Sequence, residues 1–118
     1  WVEDLERARV FFERYFGATS NDIYINAAGF HSYFLSFEGG ARLEIMYDST
    51  QQHNTEDRPH DGYGHVAFSV GTAEEVDRLT AELVADGYRY VSGPRTTGDG
   101  YYESCMLDAE GNRIEITV

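Results

Sequence analysis

Apolar positions along the chain follow two periods. Leu5, Ala8, Phe12 and Tyr15 recur at three- to four-residue spacing, which predicts an amphipathic helix opened by Asp4 as its cap and stopped by Gly17. A second helix runs from Thr72 to Gly87: Val76, Leu79 and Leu83 form its stripe, Thr72 and Glu75 a T-x-x-E capping box, and Gly87 a left-handed stop. Elsewhere the period is two. "DIYIN" (22–26), "HSYFLSF" (31–37), "RLEIM" (42–46), "GHVAFSV" (64–70), "YRYVSGP" (88–94), "YYESCML" (101–107) and "RIEITV" (113–118) read as strands. "EGGA" and "DAEGN" are turns, and Gly93-Pro94 closes its strand. In "GHVAFSV" alternation sends Val66, Phe68 and Val70 to one face and His65, Ala67 and Ser69 to the other. A histidine therefore opens an apolar strand while facing away from the apolar layer, either bonded to a neighbouring carbonyl or used as a ligand.

The chain is written twice. "GFHSYFLSFEGGARLEIM" (29–46) matches "GYYESCMLDAEGNRIEIT" (100–117) without a gap at a shift of 71 residues. Gly29/Gly100, Gly40/Gly111, Arg42/Arg113, Glu44/Glu115 and Ile45/Ile116 are identical. Each copy is a helix followed by three strands, and "GHVAFSV" adds an opening strand to the second. Aligning Val2 with Val70 uses a shift of 68 and puts the counterpart of His65 four residues upstream of Trp1. The expectation is a strand ending in Trp1-Val2 that carries a histidine there. The organisation expected is a single domain made of module one (1–47), a polar linker (48–62) and module two (63–118). His53 and His60 fall in the linker and read as solvated loop residues.

Composition narrows the partners. A chain of 118 residues with 42% hydrophobic content supports one globular domain, and no apolar run approaches the roughly 18 residues of a membrane span. Nine basic against 21 acidic residues give a net charge of −12, which repels phosphate backbones and anionic lipid surfaces, so neither nucleic acid nor membrane is expected. The single cysteine, Cys105, cannot form an internal disulfide, and no signal segment precedes the first helix; a cytoplasmic setting follows as the expectation. Cys105 itself reads as strand core rather than as a nucleophile. "GPRTTGDG" (93–100) has phosphate-loop glycines but places Asp99 where the lysine would stand and leads into a strand, so it is not one.

Both copies end a strand in R-[LI]-E-I, which makes Glu44 and Glu115 equivalent carboxylates. Such a glutamate is paired, hydrogen-bonded, protonated or bound to a cation. One reading is an Arg42–Glu44 surface pair repeated by duplication. The other adds His65: if the two sheets face each other across a pseudo-twofold axis, Glu44, His65, Glu115 and the upstream histidine converge. Two imidazoles and two carboxylates suit a borderline divalent transition metal.

The order "WVEDLERARVFFERYFG", "GARLEIM", "YGHVAFSV", "LDAEGNRIEITV" resembles the vicinal oxygen chelate superfamily (glyoxalase, bleomycin resistance protein and dioxygenase) over essentially the whole chain. The resemblance implies an α+β fold in which two βαβββ modules pair into a U-shaped cup, here with the first strand of module one missing or truncated. Within the superfamily the ligand order resembles glyoxalase I. That implies Glu44, His65 and Glu115 as metal ligands, the fourth being the histidine expected upstream of Trp1. It also implies a nickel, cobalt, zinc or manganese ion and a lyase/isomerase that abstracts a proton next to a carbonyl through a metal-bound enediolate. Glu115 is then the base and Glu44 the opposite carboxylate.

Around this site Arg95 is read either as an exposed turn residue or as the dock for a substrate carboxylate. Of Tyr101 and Tyr102 only one can face the cleft; Tyr102 is taken as substrate-binding, with His31 as a supporting residue behind the metal. A small-molecule substrate and a homodimer are expected. The alternatives are a dioxygenase or fosfomycin-type enzyme, which would leave Glu44 without a ligand role, and a metal-free drug-binding member of the superfamily.

Overall fold

A computed structural model describes residues 1–51, 63–98 and 100–118, and within them the chain forms two compact units, residues 1–57 and 58–118. His53, His60 and Asp99 lie outside the described residues, as does most of the expected linker. Each unit is one helix on one small sheet, and the architecture is α+β.

In the first unit α1 (Leu5–Phe16) starts where the Asp4 carboxylate accepts the Arg7 amide and ends at Gly17, whose φ of 63° a side chain would resist. It buries Leu5, Ala8, Phe12 and Tyr15 as the spacing predicted, and also Phe11, the most enclosed of them. Phe11 lies three residues after Ala8 and four before Tyr15, so it widens the stripe to a full apolar face. α1 packs on β1 (Thr19–Ser20), β3 (His31–Ser36) and β4 (Arg42–Tyr47). "DIYIN" is a strand only at β2 (Tyr24–Ile25), and a further short piece, β1, precedes it; the two pair opposite ends of β3. Between them the Asn21 side chain accepts the Phe34 amide and so takes the place of the ladder. β4 runs antiparallel to β3, with Tyr33, Leu35 and Ile45 toward the helix.

The second unit orders its strands β5-β8-β7-β6. β5 (Val66–Ser69) is an edge strand parallel to β8 (Arg113–Thr117); β8, β7 (Tyr102–Leu107) and β6 (Tyr90–Thr96) are antiparallel neighbours. α2 (Ala73–Ala85) packs on β6, β7 and β8. Thr72 caps it by accepting the Glu75 amide, and it ends with Tyr88 N–H on the Leu83 carbonyl and Gly87 N–H on that of Val84, the paired bonds of a Schellman motif. Val76, Leu79 and Leu83 bury against Met106, Ile114 and Ile116. Thr80 Oγ1 sits 2.6 Å from Ser104 Oγ and lies within hydrogen-bond reach of the Val76 carbonyl, so this buried polar pair of the interface is satisfied.

Two expectations are corrected here. Gly93-Pro94 does not end its strand: β6 passes through it with one register shift before it, between Tyr90 and Ser92, and one across it, between Ser92 and Arg95, which accommodate a residue that has no N–H to give the ladder. A side chain at Gly93 would clash with the Glu103 carbonyl, so glycine is needed where the two backbones close up. Val66 is also not buried; β5 is the outermost strand, and only Phe68 and Val70 of its apolar positions are half-covered.

The repeat is visible in the backbone. Adding 71 to β3, 31–36, gives β7, and adding it to the span of β1 and β2, 19–25, gives β6. The turn bonds Phe37 N–H to Ala41 and Asn26 N–H to Phe30 recur as Asp108 to Asn112 and Thr97 to Tyr101. Val2 N–H donates to the Met46 carbonyl at 2.9 Å as Val70 N–H does to Thr117 at 2.8 Å. Trp1-Val2 thus enters its helix alongside β4 as Ser69-Val70 does alongside β8.

Candidate functional site

The turn before β8 positions the site. Asp108 accepts the backbone amides of Glu110 and Asn112 and the Asn112 side chain, which winds "DAEGN" into a tight reversal. Burial pushes the Asp108 carboxyl up, and these hydrogen bonds oppose the shift. β8 then emerges with Ile114 and Ile116 against α2 and with Arg113, Glu115 and Thr117 on the opposite face. Parallel pairing sets Ala67 beside Glu115, and His65, two residues earlier, shares that face. His65 Nε2 lies 3.0 Å from Glu115 Oε2. The glutamate side chain keeps 21% of its exposure and the imidazole 47%, so the pair is accessible from solvent.

Neither glutamate is held by its neighbouring arginine among the described residues. Arg42 lies over the Phe34 ring, 5.3 Å from its centroid, and Arg113 Nη1 points at Cys105 Sγ at 4.0 Å. Phe34 and Cys105 are themselves counterparts in the repeat. The duplicated Arg–Glu surface pair is therefore not what these strands build. Glu44, opposite Phe34 on β4, stands exposed on the face of the first unit that points away from α1.

The other expected residues fall on different faces. Arg95 is directly across from Glu103, on the Glu115 side of its sheet. Tyr102 alternates with Ser104 and Met106 and so lies on the helix side, where its hydroxyl donates to Asp77 of α2 at 2.7 Å. That bond holds the phenol above its ordinary pKa. His31 shares the helix-side parity of Tyr33 and Leu35 and stacks near Tyr47, with ring centroids 5.9 Å apart, on the opposite face from Glu44. Cys105 is half-buried directly opposite Glu115, and burial pushes its thiol up, away from nucleophilic character. The Thr117 hydroxyl oxygen, one ladder step beyond Glu115, is buried without a hydrogen-bond partner among the described residues.

Among the described residues no three His, Cys, Asp or Glu side chains cluster. The two that do meet fit a metal. Donors bound at about 2.1 Å to one ion, at a right angle, lie about 3.0 Å apart, the spacing of Nε2 and Oε2 here. A neutral imidazole nitrogen and a carboxylate oxygen each offer a lone pair to such an ion.

The sequence profile of the Glyoxalase/Bleomycin resistance protein/Dioxygenase superfamily matches residues 1–116, and the chain belongs to that superfamily. A possible glyoxalase from Bacillus cereus is 26% identical, aligns over 99% of this chain and 91% of its own, and superposes with a TM-score of 0.72. A glyoxalase/bleomycin resistance protein/dioxygenase domain from Frankia sp. EAN1pec is 15% identical over 99% and 90% of the two chains, with a TM-score of 0.83. The fosfomycin resistance protein FosX from Listeria monocytogenes, solved with Mn(II) and sulfate, is 22% identical over 99% and 84%, with a TM-score of 0.69. Among curated protein sequences none matches. No helix in the described residues is long and apolar enough to cross a membrane.

Proposed function

We propose that the protein is a metal-dependent lyase/isomerase of the glyoxalase I type, acting on a small molecule with a proton next to a carbonyl. The observation that carries this reading is the convergence of His65 and Glu115 at 3.0 Å on the solvent-facing side of their sheet. His65 Nε2 and Glu115 would hold a nickel, cobalt, zinc or manganese ion. Glu44, the duplicated counterpart of Glu115, is the second carboxylate of the reading. FosX with Mn(II) supports the choice of ion class within the superfamily. When bound, such an ion supplies Lewis-acid stabilisation for charge that develops on oxygen.

The chain supplies the proton chemistry. Glu115 takes the proton from the carbon beside the carbonyl, holds it on a carboxylate oxygen, and returns it to the adjacent carbon. His65 Nε2 stands 3.0 Å from that carboxylate, and the parallel register of β5 with β8 brings the two together. Arg95, on the same side of the sheet, is the reading's contact for a substrate carboxylate; Tyr102, on the helix side with its hydroxyl on Asp77, drops out of the expected substrate-binding set.

The test is elemental analysis after incubation with each of the four ions, together with deuterium exchange from solvent into an α-ketoaldehyde–thiol adduct. About one ion per chain and exchange at the carbon beside the carbonyl are expected. A protein that takes up no metal and exchanges nothing would be a binding member of the superfamily. We also propose a homodimer, supported by the exposed apolar edge at Tyr24 and Ile25 on β2. Sedimentation at micromolar concentration should give twice the 13.4 kDa of one chain, and a monomer alone would refute it.

A further inference from the structure

Trp1 is the only tryptophan of the chain, and it keeps 63% of its exposure although its neighbour Val2 is buried. It forms one wall of an open cleft of about 380 Å³, lined also by Asp48, Thr50 and Gln51. All four residues belong to the first unit, and none is part of the β5–β8 pair.

The turn that follows β4 builds the cleft. Gln51 N–H donates to the Asp48 carbonyl at 3.0 Å, while Asp48 Oδ1 accepts the Thr50 amide at 2.8 Å and the Thr50 hydroxyl at 2.6 Å. Those bonds hold the Asp48 carboxyl below its ordinary pKa, so it is ionised at neutral pH. Gln51 ties the turn to Trp1-Val2: its Nε2 donates to the Val2 carbonyl at 2.8 Å, and its Oε1 accepts the Asp48 amide at 3.2 Å. Val2 N–H is on the Met46 carbonyl, so the residue beside Trp1 is fixed at both of its backbone groups. Phe30 meets the indole edge to face, with ring centroids 5.9 Å apart. The ring is therefore positioned while most of its surface faces solvent.

What the cleft presents is an aromatic surface and a negative charge, with few hydrogen-bond acceptors. Among the described residues Asp48 Oδ2 has no hydrogen-bond partner and the carboxylate has no ion pair. The Gln51 carbonyl oxygen is already engaged by the Asp48 amide. A primary ammonium has three N–H donors to satisfy, whereas a fully methylated one has none and needs only an aromatic face and a counter-charge. A net charge of −12 favours a cation over an anion at any open surface of this chain.

We propose that Trp1 and Asp48 form a ligand site for a quaternary ammonium group carried by a small molecule, the cation lying on the indole and against the Asp48 carboxylate. Thr50 and Gln51 frame the site by fixing the carboxylate and the backbone next to the ring. The site shares no residue with His65 and Glu115 and does not rest on the reading of that pair.

The indole reports its own occupancy, because no other tryptophan contributes to the emission. Titration with choline should change that emission saturably, with a midpoint on the order of millimolar, once its effect on free N-acetyltryptophanamide is subtracted. The neutral isostere 3,3-dimethylbutan-1-ol has the shape without the charge and should bind about tenfold more weakly. Methylammonium should also bind more weakly than choline. Asp48→Asn should weaken choline about fivefold, the scale of one unit charge at about 4 Å in near-aqueous surroundings, and leave the isostere unchanged. Asparagine keeps an Oδ1 for the Thr50 amide and hydroxyl, so the turn is retained. In Trp1→Leu, line broadening of the choline methyl proton signal should disappear. An emission that does not saturate, equal affinity for choline and its isostere or for choline and methylammonium, or unchanged choline affinity in Asp48→Asn overturns the proposal. The comparison of ligands uses the parent protein alone, so it decides even where a substitution unfolds the chain. None of these readouts involves a metal or turnover, so they are separate from the fate of the His65–Glu115 reading.

Discussion

Glu115→Gln should lower the rate of deuterium exchange at the carbon beside the carbonyl by at least about 100-fold, the lower end of what a positioned general base contributes. Glutamine keeps the length of the side chain and an oxygen that can accept the His65 Nε2–H, so the local packing has no reason to change. What it loses is the charge and the capacity to hold a proton. Ile114 and Ile116, on either side of it in the strand, stay buried against α2 and hold β8 in register whatever stands at 115. An ion pair with a half-exposed imidazole contributes at most about 1 kcal/mol, so the thermal midpoint should move by only a few degrees. Exchange rate, metal content and far-UV circular dichroism on the same preparation separate these contributions. Unchanged exchange with unchanged metal would remove Glu115 from the chemistry and leave the pair as a surface contact.

Much of this arrangement was legible from the period and the repeat. Strand alternation put Glu115 on the face opposite Ile114 and Ile116, and put His65 with Ala67. The side chains meet because β5 and β8 pair in parallel with Ala67 beside Glu115, a pairing that the repeat, which does not include β5, could not give. The glycines of the repeat were legible for a different reason. Gly40 and Gly111 both sit at positive φ, 89° and 84°, where the hairpin bond from residue 37 or 108 closes the turn. The helix-side placement of Tyr102 was in principle also readable, because it shares the parity of Ser104 and Met106. Its tie to Asp77 was not, since that depends on which turn of α2 passes over the strand end.

Other features lay outside what a pattern can carry. "DIYIN" alternates like a strand, but pairing depends on where β3 offers free backbone groups, and Asn21 intercepts one of them. Gly93-Pro94 carries the local signal of a break, whereas the strand continues because β7 closes up on the glycine. The partner of Arg113 was hidden as well: R-x-E on one strand face suggests an ion pair, whereas the guanidinium turns toward Cys105 on the neighbouring strand.

His65→Ala should reduce metal affinity by at least about 100-fold, the upper end of the loss seen when even a supporting partner of a metal ligand is removed. The case differs from that of Glu115 because His65 is the only imidazole among the described residues that meets a carboxylate. Removing it leaves only oxygen ligands among the described residues, which weakens the preference of the site for a borderline ion such as nickel or zinc over magnesium. The fold should not suffer. His65 precedes β5 rather than lying within it, its side chain is 47% exposed, and truncation there leaves no cavity in the α2 interface. Titration of the parent and the variant with a chromophoric chelator in competition gives the affinity ratio, and a denaturation curve on each gives stability. A ratio near one with intact folding would mean that His65 serves Glu115 only as a hydrogen-bond donor. Activity, if present, would then need a site that does not use the β5–β8 pair. Loss of metal together with loss of exchange, at unchanged stability, would tie the histidine that opens this strand to the ion and the ion to the reaction.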